Sequence, residues 1–317
     1  MQSKKILLAG VTSIAAMGLA GCGGSGSTSA IVDALYAQDV GTVAKALNDG
    51  ETLTAYDNKM SSTLQHEDVR SQGTAEVSIK KNADGGIDVT INGETESYSS
   101  ANVSADGFGF ESDDGDRNIY TWSADSAQGA VDGTDGYAYH QRWGHFWRSP
   151  SSGDSMFGFA VLGSETAPQD VAARDDTATY SGDAYIYAYG TDGDDFDRTA
   201  IRGDLTLTAD FGQGEISGAV SDMEGRERVN GVDGSWTPVP GAEIDLQSAD
   251  IAGNGYEGTT AVNDTFKTAL DVTEFDGTYR GKFFGPDAEE TAGVIVASGV
   301  ADGEDFVASG SFGADKD

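Results

Sequence analysis

The residue types able to do chemistry crowd into one short stretch, Tyr137-Ala138-Tyr139-His140-Gln141-Arg142-Trp143-Gly144-His145-Phe146-Trp147-Arg148. It holds two of the chain's three histidines and two of its four tryptophans. Read as a strand, its odd positions put Tyr137, Tyr139, Trp143, His145 and Trp147 on one face. An aromatic wall flanked by His or Tyr can hold haem, whose iron accepts either residue, and Arg142 or Arg148 would meet the propionates. On that reading the ligand-binding set is Tyr137, Tyr139, His140, Arg142, Trp143, His145 and Trp147. The competing and preferred reading is core packing, since large aromatics in one strand each bury about 150–250 Å².

Other motifs carry less. Asp113-Asp114-Gly115-Asp116, Asp132-Gly133-Thr134-Asp135 and Asp192-Gly193-Asp194-Asp195-Phe196-Asp197 are carboxylate-rich loops of the kind that bind calcium. None completes an EF-hand: counting from Asp192, Phe196 is fifth and Gly203 stands at the twelfth position, where glutamate is needed. They read as solvated acidic turns. Gly253-Asn254-Gly255-Tyr256-Glu257-Gly258 satisfies GxGxxG, but the following Thr259-Thr260-Ala261-Val262 is strand-like and supplies no helix N-terminus for a pyrophosphate. There is no GxSxG and no HExxH, and His66, His140 and His145 all precede residue 150. Without a nucleophile–base arrangement the chain is not expected to be an enzyme.

The composition narrows the class further. Fifty-three acidic residues against 19 basic ones leave a formal charge of −34, which opposes binding to nucleic acid or to an anionic bilayer face. Such acidity either keeps a surface protein soluble or steers a basic partner. Forty-four glycines in 317 residues are twice the usual ~7%, with five prolines. The single cysteine, Cys22, excludes an internal disulfide framework.

Residues 1–21 read as an export signal: Lys4 and Lys5, an apolar run from Ile6 to Leu19, then Leu19-Ala20-Gly21 ahead of Cys22. The run is short for a membrane span, and its end resembles the lipobox of bacterial lipoproteins, which implies cleavage before Cys22 and acylation of that residue. Acyl chains contribute about 0.8 kcal/mol per buried methylene and anchor a chain without a spanning helix. Residues 22–30 form a Gly/Ser tether. No aspartate follows Cys22, so the resemblance implies outer-membrane placement, lipid-anchored and surface-facing.

The elements that must position these residues are mostly strands. Ile31, Leu35, Val43 and Leu47 suggest one short helix over 31–49. Thereafter the apolar period is two. Ala75, Val77 and Ile79, then Ile87, Val89 and Ile91, flank the turn Asn82-Ala83-Asp84-Gly85-Gly86 as a hairpin. Strands are predicted near 107–111, 118–123, 137–147, 156–163, 177–190, 203–211, 214–221, 242–251, 254–262, 266–273, 278–284, 292–299 and 305–312. Leu205, Leu207, Ala209 and Phe211 share one face, with Ile216 and Val220 resuming it after a turn. Gly182, Gly281, Gly293 and Gly310 inside strands suit the coiling of a small closed barrel. The fold class expected is mainly β, an N-terminal β-rich domain over 31–150 followed by a soluble eight-stranded antiparallel barrel over 151–317. A membrane-spanning barrel is rejected, because the second face of many strands carries Asp, Thr, Glu and Lys.

Gly277-Thr278-Tyr279-Arg280-Gly281-Lys282-Phe283-Phe284-Gly285-Pro286-Asp287-Ala288-Glu289-Glu290, followed by Gly293-Val294-Ile295, resembles a hairpin of the transferrin-binding protein B β-barrel family. Gly310-Ser311-Phe312-Gly313-Ala314-Asp315-Lys316 is similar to that family's last strand, and Ala178-Thr179-Tyr180-Ser181-Gly182 to its opening strand. Ala292 departs from the family's second glycine. Asp287, Glu289 and Glu290 read as solvated turn residues. The resemblance implies a surface lipoprotein with a handle-like domain before its barrel. It would capture an iron- or haem-carrying protein on loops and deliver to a TonB-dependent receptor. The alternative is a structural or protective surface lipoprotein that binds nothing small.

Overall fold

A computed structural model describes residues 61–66, 72–75, 77–82, 86–102, 109–122, 137, 139–149, 151, 155–163, 165–190, 198–229 and 232–317. The helix expected over 31–49 lies outside the described residues, as do the aspartate clusters at 132–135 and 192–197.

The described residues of the N-terminal part form nine strands: β1 (Ser61–His66), β2 (Gln72–Thr74), β3 (Val77–Lys81), β4 (Ile87–Ile91), β5 (Glu94–Tyr98), β6 (Gly109–Glu111), β7 (Arg117–Trp122), β8 (His140–Arg148) and β9 (Ser155–Gly163). Strands β3, β4 and β5 form a three-stranded antiparallel meander, and the other six form a sheet in the order β2-β1-β9-β8-β7-β6. The period-two pattern decides the packing. Val77, Ile79, Ile87, Val89 and Ile91 turn one face of the meander onto Phe110, Ile119, Trp143 and Trp147 of the larger sheet, and all are buried.

Strand β9 pairs with β8 and β1. Residues 155–163, which the sequence reading assigned to the second unit beyond 150, are therefore hydrogen-bonded into the first. Chain proximity misled that reading, because a strand ahead of a barrel carries the same apolar alternation as a barrel strand.

A short helix, α1 (Pro168–Ala172), leads into the second part. Its strands are β10 (Thr177–Gly190), β11 (Arg198–Asp210), β12 (Glu215–Val229), two-residue β13 (Val232–Asp233) and β14 (Thr237–Pro238), β15 (Ile244–Ala252) and β16 (Gly255–Val262). Helix α2 (Asp264–Ala269) and strands β17 (Val272–Phe284), β18 (Glu290–Ala301) and β19 (Glu304–Lys316) complete it. Hydrogen bonding runs β11-β10-β19-β18-β17-β16-β15-β12, and the β11–β12 pairing closes the ring. The result is an eight-stranded antiparallel barrel, as the sequence predicts. Leu205, Leu207, Ala209, Ile216 and Val220 line its interior. Outward positions include Asp204, Thr206, Thr208, Asp245, Gln247, Glu257, Thr259 and Thr278, so the wall carries no continuous apolar band.

One expected strand is absent. Residues 266–273 begin in α2, where the Asn263 side chain caps the helix by accepting the Phe266 N–H at 2.9 Å. Phe266 and Leu270, four apart, are apolar neighbours at helical rather than strand spacing.

Two glycines inside the barrel strands serve close approach. A Cβ on Gly281 would lie 2.4 Å from the Tyr256 ring, and one on Gly293 would lie 2.4 Å from the Phe312 ring. The aromatic side chains fill the space that any other residue would occupy.

The two parts share a third apolar cluster. Phe159 and Val161 of β9 meet Tyr185, Tyr187, Val294 and Val307 on the outer wall of the barrel. Thus the six-stranded sheet is covered on one face by the meander and on the other by the barrel.

Candidate functional site

The motif over 137–148 falls on β8 and the residues just before it, and the pleat splits it between two environments. Trp143, His145 and Trp147 face the meander and are 0–1% exposed. His140 and Arg142 face the barrel, also 1% and 2% exposed. Tyr137 and Tyr139 join the barrel side: Tyr137 stacks on His140 with ring centroids 4.1 Å apart, and Tyr139 packs into the cluster shared with the barrel. The structure therefore does not assemble the seven residues into one wall. Alternation along β8 separates Trp143 and Trp147 from Arg142, and Tyr137 and Tyr139 precede the strand and fall on the barrel side, outside its pleat. Both histidine rings are closed off from solvent.

What the barrel-facing residues build is a polar seam between the two parts. Glu290, 2% exposed at the start of β18, accepts the His140 Nδ1–H at 2.8 Å and the Tyr139 backbone N–H at 3.0 and 3.1 Å. Arg142 grips Asp183 of β10 through two guanidinium hydrogen bonds of 2.6 and 2.8 Å. Tyr137 Oη donates to the Gly313 carbonyl at 2.6 Å. Lys282 of β17 meets Glu165 at 3.0 Å, with side chains 6% and 4% exposed. Asn254 donates to the Thr166 carbonyl at 2.8 Å, while the Thr166 hydroxyl donates to the Gly285 carbonyl at 2.6 Å. Arg142 and Lys282 thus each have a carboxylate within hydrogen-bond reach, the condition under which an ion pair survives desolvation, while Glu290 is held by hydrogen-bond donors.

Glu290 corrects the sequence reading, which placed it with Asp287 and Glu289 in solvent. Asp287 is exposed in the β17–β18 turn, but the chain rises out of that turn at Glu290 and directs its side chain into the seam. Asp183, Glu165 and Lys282 were likewise invisible as a group, being 41 to 117 residues from their partners. The isolated signal for Lys282 was a cation inside an otherwise apolar strand.

The electrostatics follow from burial. Desolvation pushes the His140 pKa below its ordinary value while Glu290 opposes it. His145 has no such counterweight: neither ring nitrogen has a hydrogen-bond partner, and burial lowers it to about 4. Burial and the nearby Glu290 raise Asp315 to about 6.

Gly313 sets how closely the parts approach. A Cβ there would lie 2.6 Å from His140 Nε2 and 3.0 Å from the Tyr137 ring. Gly313→Val is expected to force both rings off their partners and to cost about 1–3 kcal/mol, as overpacking does. Denaturant titration of the variant checks this; an unchanged midpoint would show that the seam yields without strain.

Among the described residues the other motifs lie in turns and strands. Gly253 and Asn254 form the β15–β16 turn, Gly253 with φ +64°, and the GxGxxG residues continue into a strand. Asp114 pairs with Arg117 at 3.4 Å and accepts from the Ser112 hydroxyl at 2.6 Å; Asp116 meets Arg148 at 3.6 Å. Among the described residues no group of three His, Cys, Asp or Glu converges as a metal would require.

The second feature of the barrel is its interior. At the end near α1, Tyr180, Phe211, Tyr256 and Phe283 fill the lumen, ring centroids 5.1–5.9 Å from Phe283. At the opposite end the described residues leave the lumen unfilled, a cavity of about 1410 Å³ beside α2.

An eight-stranded antiparallel barrel held against a smaller β-sheet part through a buried polar seam defines the class: a closed β-barrel lobe packed on a sheet. Residues 173–316 match the family model of the C-lobe and N-lobe β-barrels of transferrin-binding protein B, so the barrel is similar to the barrels of that family. Several solved structures are similar to parts of this chain. Transferrin-binding protein B from serogroup B Neisseria meningitidis is 20% identical with a TM-score of 0.42, the match covering 81% of this chain and 43% of that one. The same protein from Haemophilus parasuis is 18% identical with a TM-score of 0.43, covering 81% and 44%. This chain therefore spans under half the length of those structures. No curated protein matches the sequence.

Proposed function

We propose that the protein is an outer-membrane lipoprotein, anchored through acylated Cys22, that displays its barrel at the cell surface and binds an iron- or haem-carrying protein. It binds rather than catalyses. The observation that carries this reading is the match of the barrel, residues 173–316, to the barrels of a transferrin-binding protein. The lipobox-like run before Cys22 supports the anchor, and the Gly/Ser tether after it supplies reach.

The binding surface in this reading is the set of loops at a barrel end, with capture followed by transfer to a TonB-dependent receptor. The acidic outer wall favours a partner with a basic face, whose association rising salt would slow.

Two measurements test the proposal. Cys22→Ser is expected to move the protein from the membrane fraction to the soluble fraction and to abolish the mass shift of acylation; continued membrane association would remove the anchor. The soluble Cys22→Ser protein is then used as bait against transferrin and haem-carrying proteins at low and high salt. Retention at low salt, weakened at high salt, is the expected result. No retention of either class in either condition would leave a structural surface role in its place.

A further inference from the structure

The interior of the barrel is unequal from end to end. The closed half is packed by large rings, and Tyr180 Oη and Tyr256 Oη are tied to the Ala288 carbonyl at 2.8 Å and the Thr291 hydroxyl at 2.6 Å. The open half is lined instead by Ile186, Ile201, Ile244, Phe275, Ile295 and Ala308. Small inward residues are the cause: on β18 and β19, Ala297 and Ala308 stand opposite each other, where aromatic residues fill the lumen lower down. The cavity of about 1410 Å³ exceeds the ~300–1,000 Å³ of ordinary ligand pockets. An eight-stranded barrel is wide enough to hold one small ligand when its side chains do not fill it.

The mouth is polar and carries net negative charge. Glu227, Asp271, Asp302, Glu304 and Asp305 stand around it and are exposed. The only cations of the rim among the described residues are Arg226 and Arg228, and both lean on Asp233, at 3.6 and 3.9 Å. An apolar cup under an acidic rim matches a molecule with an apolar body and a cationic head. An anionic head would meet unscreened repulsion at the rim.

We propose that the barrel is a calyx whose ligand is a single-chain cationic amphiphile, its chain in the apolar cup and its head among the rim carboxylates. The ligand enters beside α2, whose Phe266 and Leu270 form one lip of the cup. The cup lies inside the barrel, whereas the protein partner is proposed to bind loops at a barrel end, and occupation of one does not require the other.

Calorimetric titration of the Cys22→Ser protein with dodecylamine, dodecanol and dodecanoate, all below their micelle concentrations, tests the assignment. Dodecylamine is expected to bind with one-to-one stoichiometry and at least tenfold more tightly than dodecanoate, with dodecanol between them. Across alkylamines each added methylene should tighten binding up to about fourfold, the equivalent of ~0.8 kcal/mol. Ala297→Phe fills the cup and is expected to weaken dodecylamine at least tenfold with an unchanged far-ultraviolet circular dichroism spectrum. Ala308→Leu provides a milder filling should that variant fail to fold. Asp305→Lys combined with Glu227→Lys should reverse the preference towards dodecanoate. Absence of binding by all three probes, or dodecylamine binding that survives cup filling in a folded variant, would overturn the calyx. Equal affinity for amine and carboxylate would overturn the cationic head.

Discussion

Replacing Asp183 by alanine is expected to destabilise the protein by about 3–5 kcal/mol, the cost of leaving a buried charge without its partner. The residue left behind is Arg142, whose side chain is 1% exposed and lies deep in the seam between sheet and barrel. Its two hydrogen bonds to Asp183, 2.6 and 2.8 Å, are its charge-neutralising contacts among the described residues. The Tyr137 ring, 5.6 Å from the guanidinium carbon, adds only a cation–π contribution. Tyr137 loses its weaker acceptor but keeps the Gly313 carbonyl. The loss should therefore trace to the stranded guanidinium. Adding Arg142→Met to Asp183→Ala is expected to recover most of it, since an apolar side chain of similar length leaves no charge to solvate. Thermal unfolding of the two variants reads the effect as a fall on the order of 10 °C, largely reversed in the double variant. A loss below about 1 kcal/mol for Asp183→Ala would mean that water reaches the seam and the pair is not structural.

The second large effect is a pH dependence, and its sign follows from His145. In the folded state burial lowers this side chain to about 4, against an ordinary value of 6.5. Between those limits the unfolded chain binds a proton that the folded chain refuses, so stability is complete above about pH 6.5 and declines as pH falls towards 4. Two and a half units correspond to about 3 kcal/mol. His140, also lowered by burial, acts in the same direction, with Glu290 opposing. Asp315 acts the other way. Raised to about 6, it takes up a proton more readily in the fold than in the unfolded chain and adds stability as pH drops through 6 to 4. Solvent reaches much of that carboxylate, so its share is the smaller. His145→Leu removes the refused proton and two unpaired buried nitrogens together. The variant is expected to be more stable than the parent at pH 7, and by a wider margin at pH 5. Urea midpoints at the two values check this, and a parallel pH slope in parent and variant would exclude His145 as the source.

The handle and barrel differ in how much of them could be read from residue order. In the barrel, Leu205, Leu207 and Ala209 alternate with Asp204, Thr206 and Thr208, and the turns between strands carry Gly or Asp. Local pattern then coincides with global pairing, because each barrel strand is bonded to its neighbour in the chain at most steps. The 266–273 segment broke that agreement. Its apolar residues satisfy either period over so short a span, and the deciding contact, Asn263 capping Phe266, is a side-chain hydrogen bond rather than a hydropathy pattern. For 155–163 the alternation was read correctly as a strand, but nothing in it says which sheet a strand will join.

The candidate site was legible in composition and illegible in geometry. The stretch 137–148 stands out by its aromatic, histidine and arginine content, and a strand reading puts Trp143, His145 and Trp147 on one face, as found. The partners that give His140 and Arg142 their roles, Glu290 and Asp183, lie 150 and 41 residues further on. Glu290 looked like one more acid in an acidic turn until the hairpin placed it opposite the imidazole.

The amino-acid order by itself determined the strand periodicity, the closing of eight strands through short turns, the acidic outer wall and the family likeness of the barrel. These depend on neighbours two to fifteen residues apart, where alternation and turn chemistry act directly. Tertiary structure alone decided which sheet β9 joins, which carboxylate faces which cation in the seam, and that half the lumen is left unfilled. Those outcomes depend on side chains brought together from distant segments, where desolvation, counter-charge and available volume are properties of the assembled fold rather than of any stretch of chain.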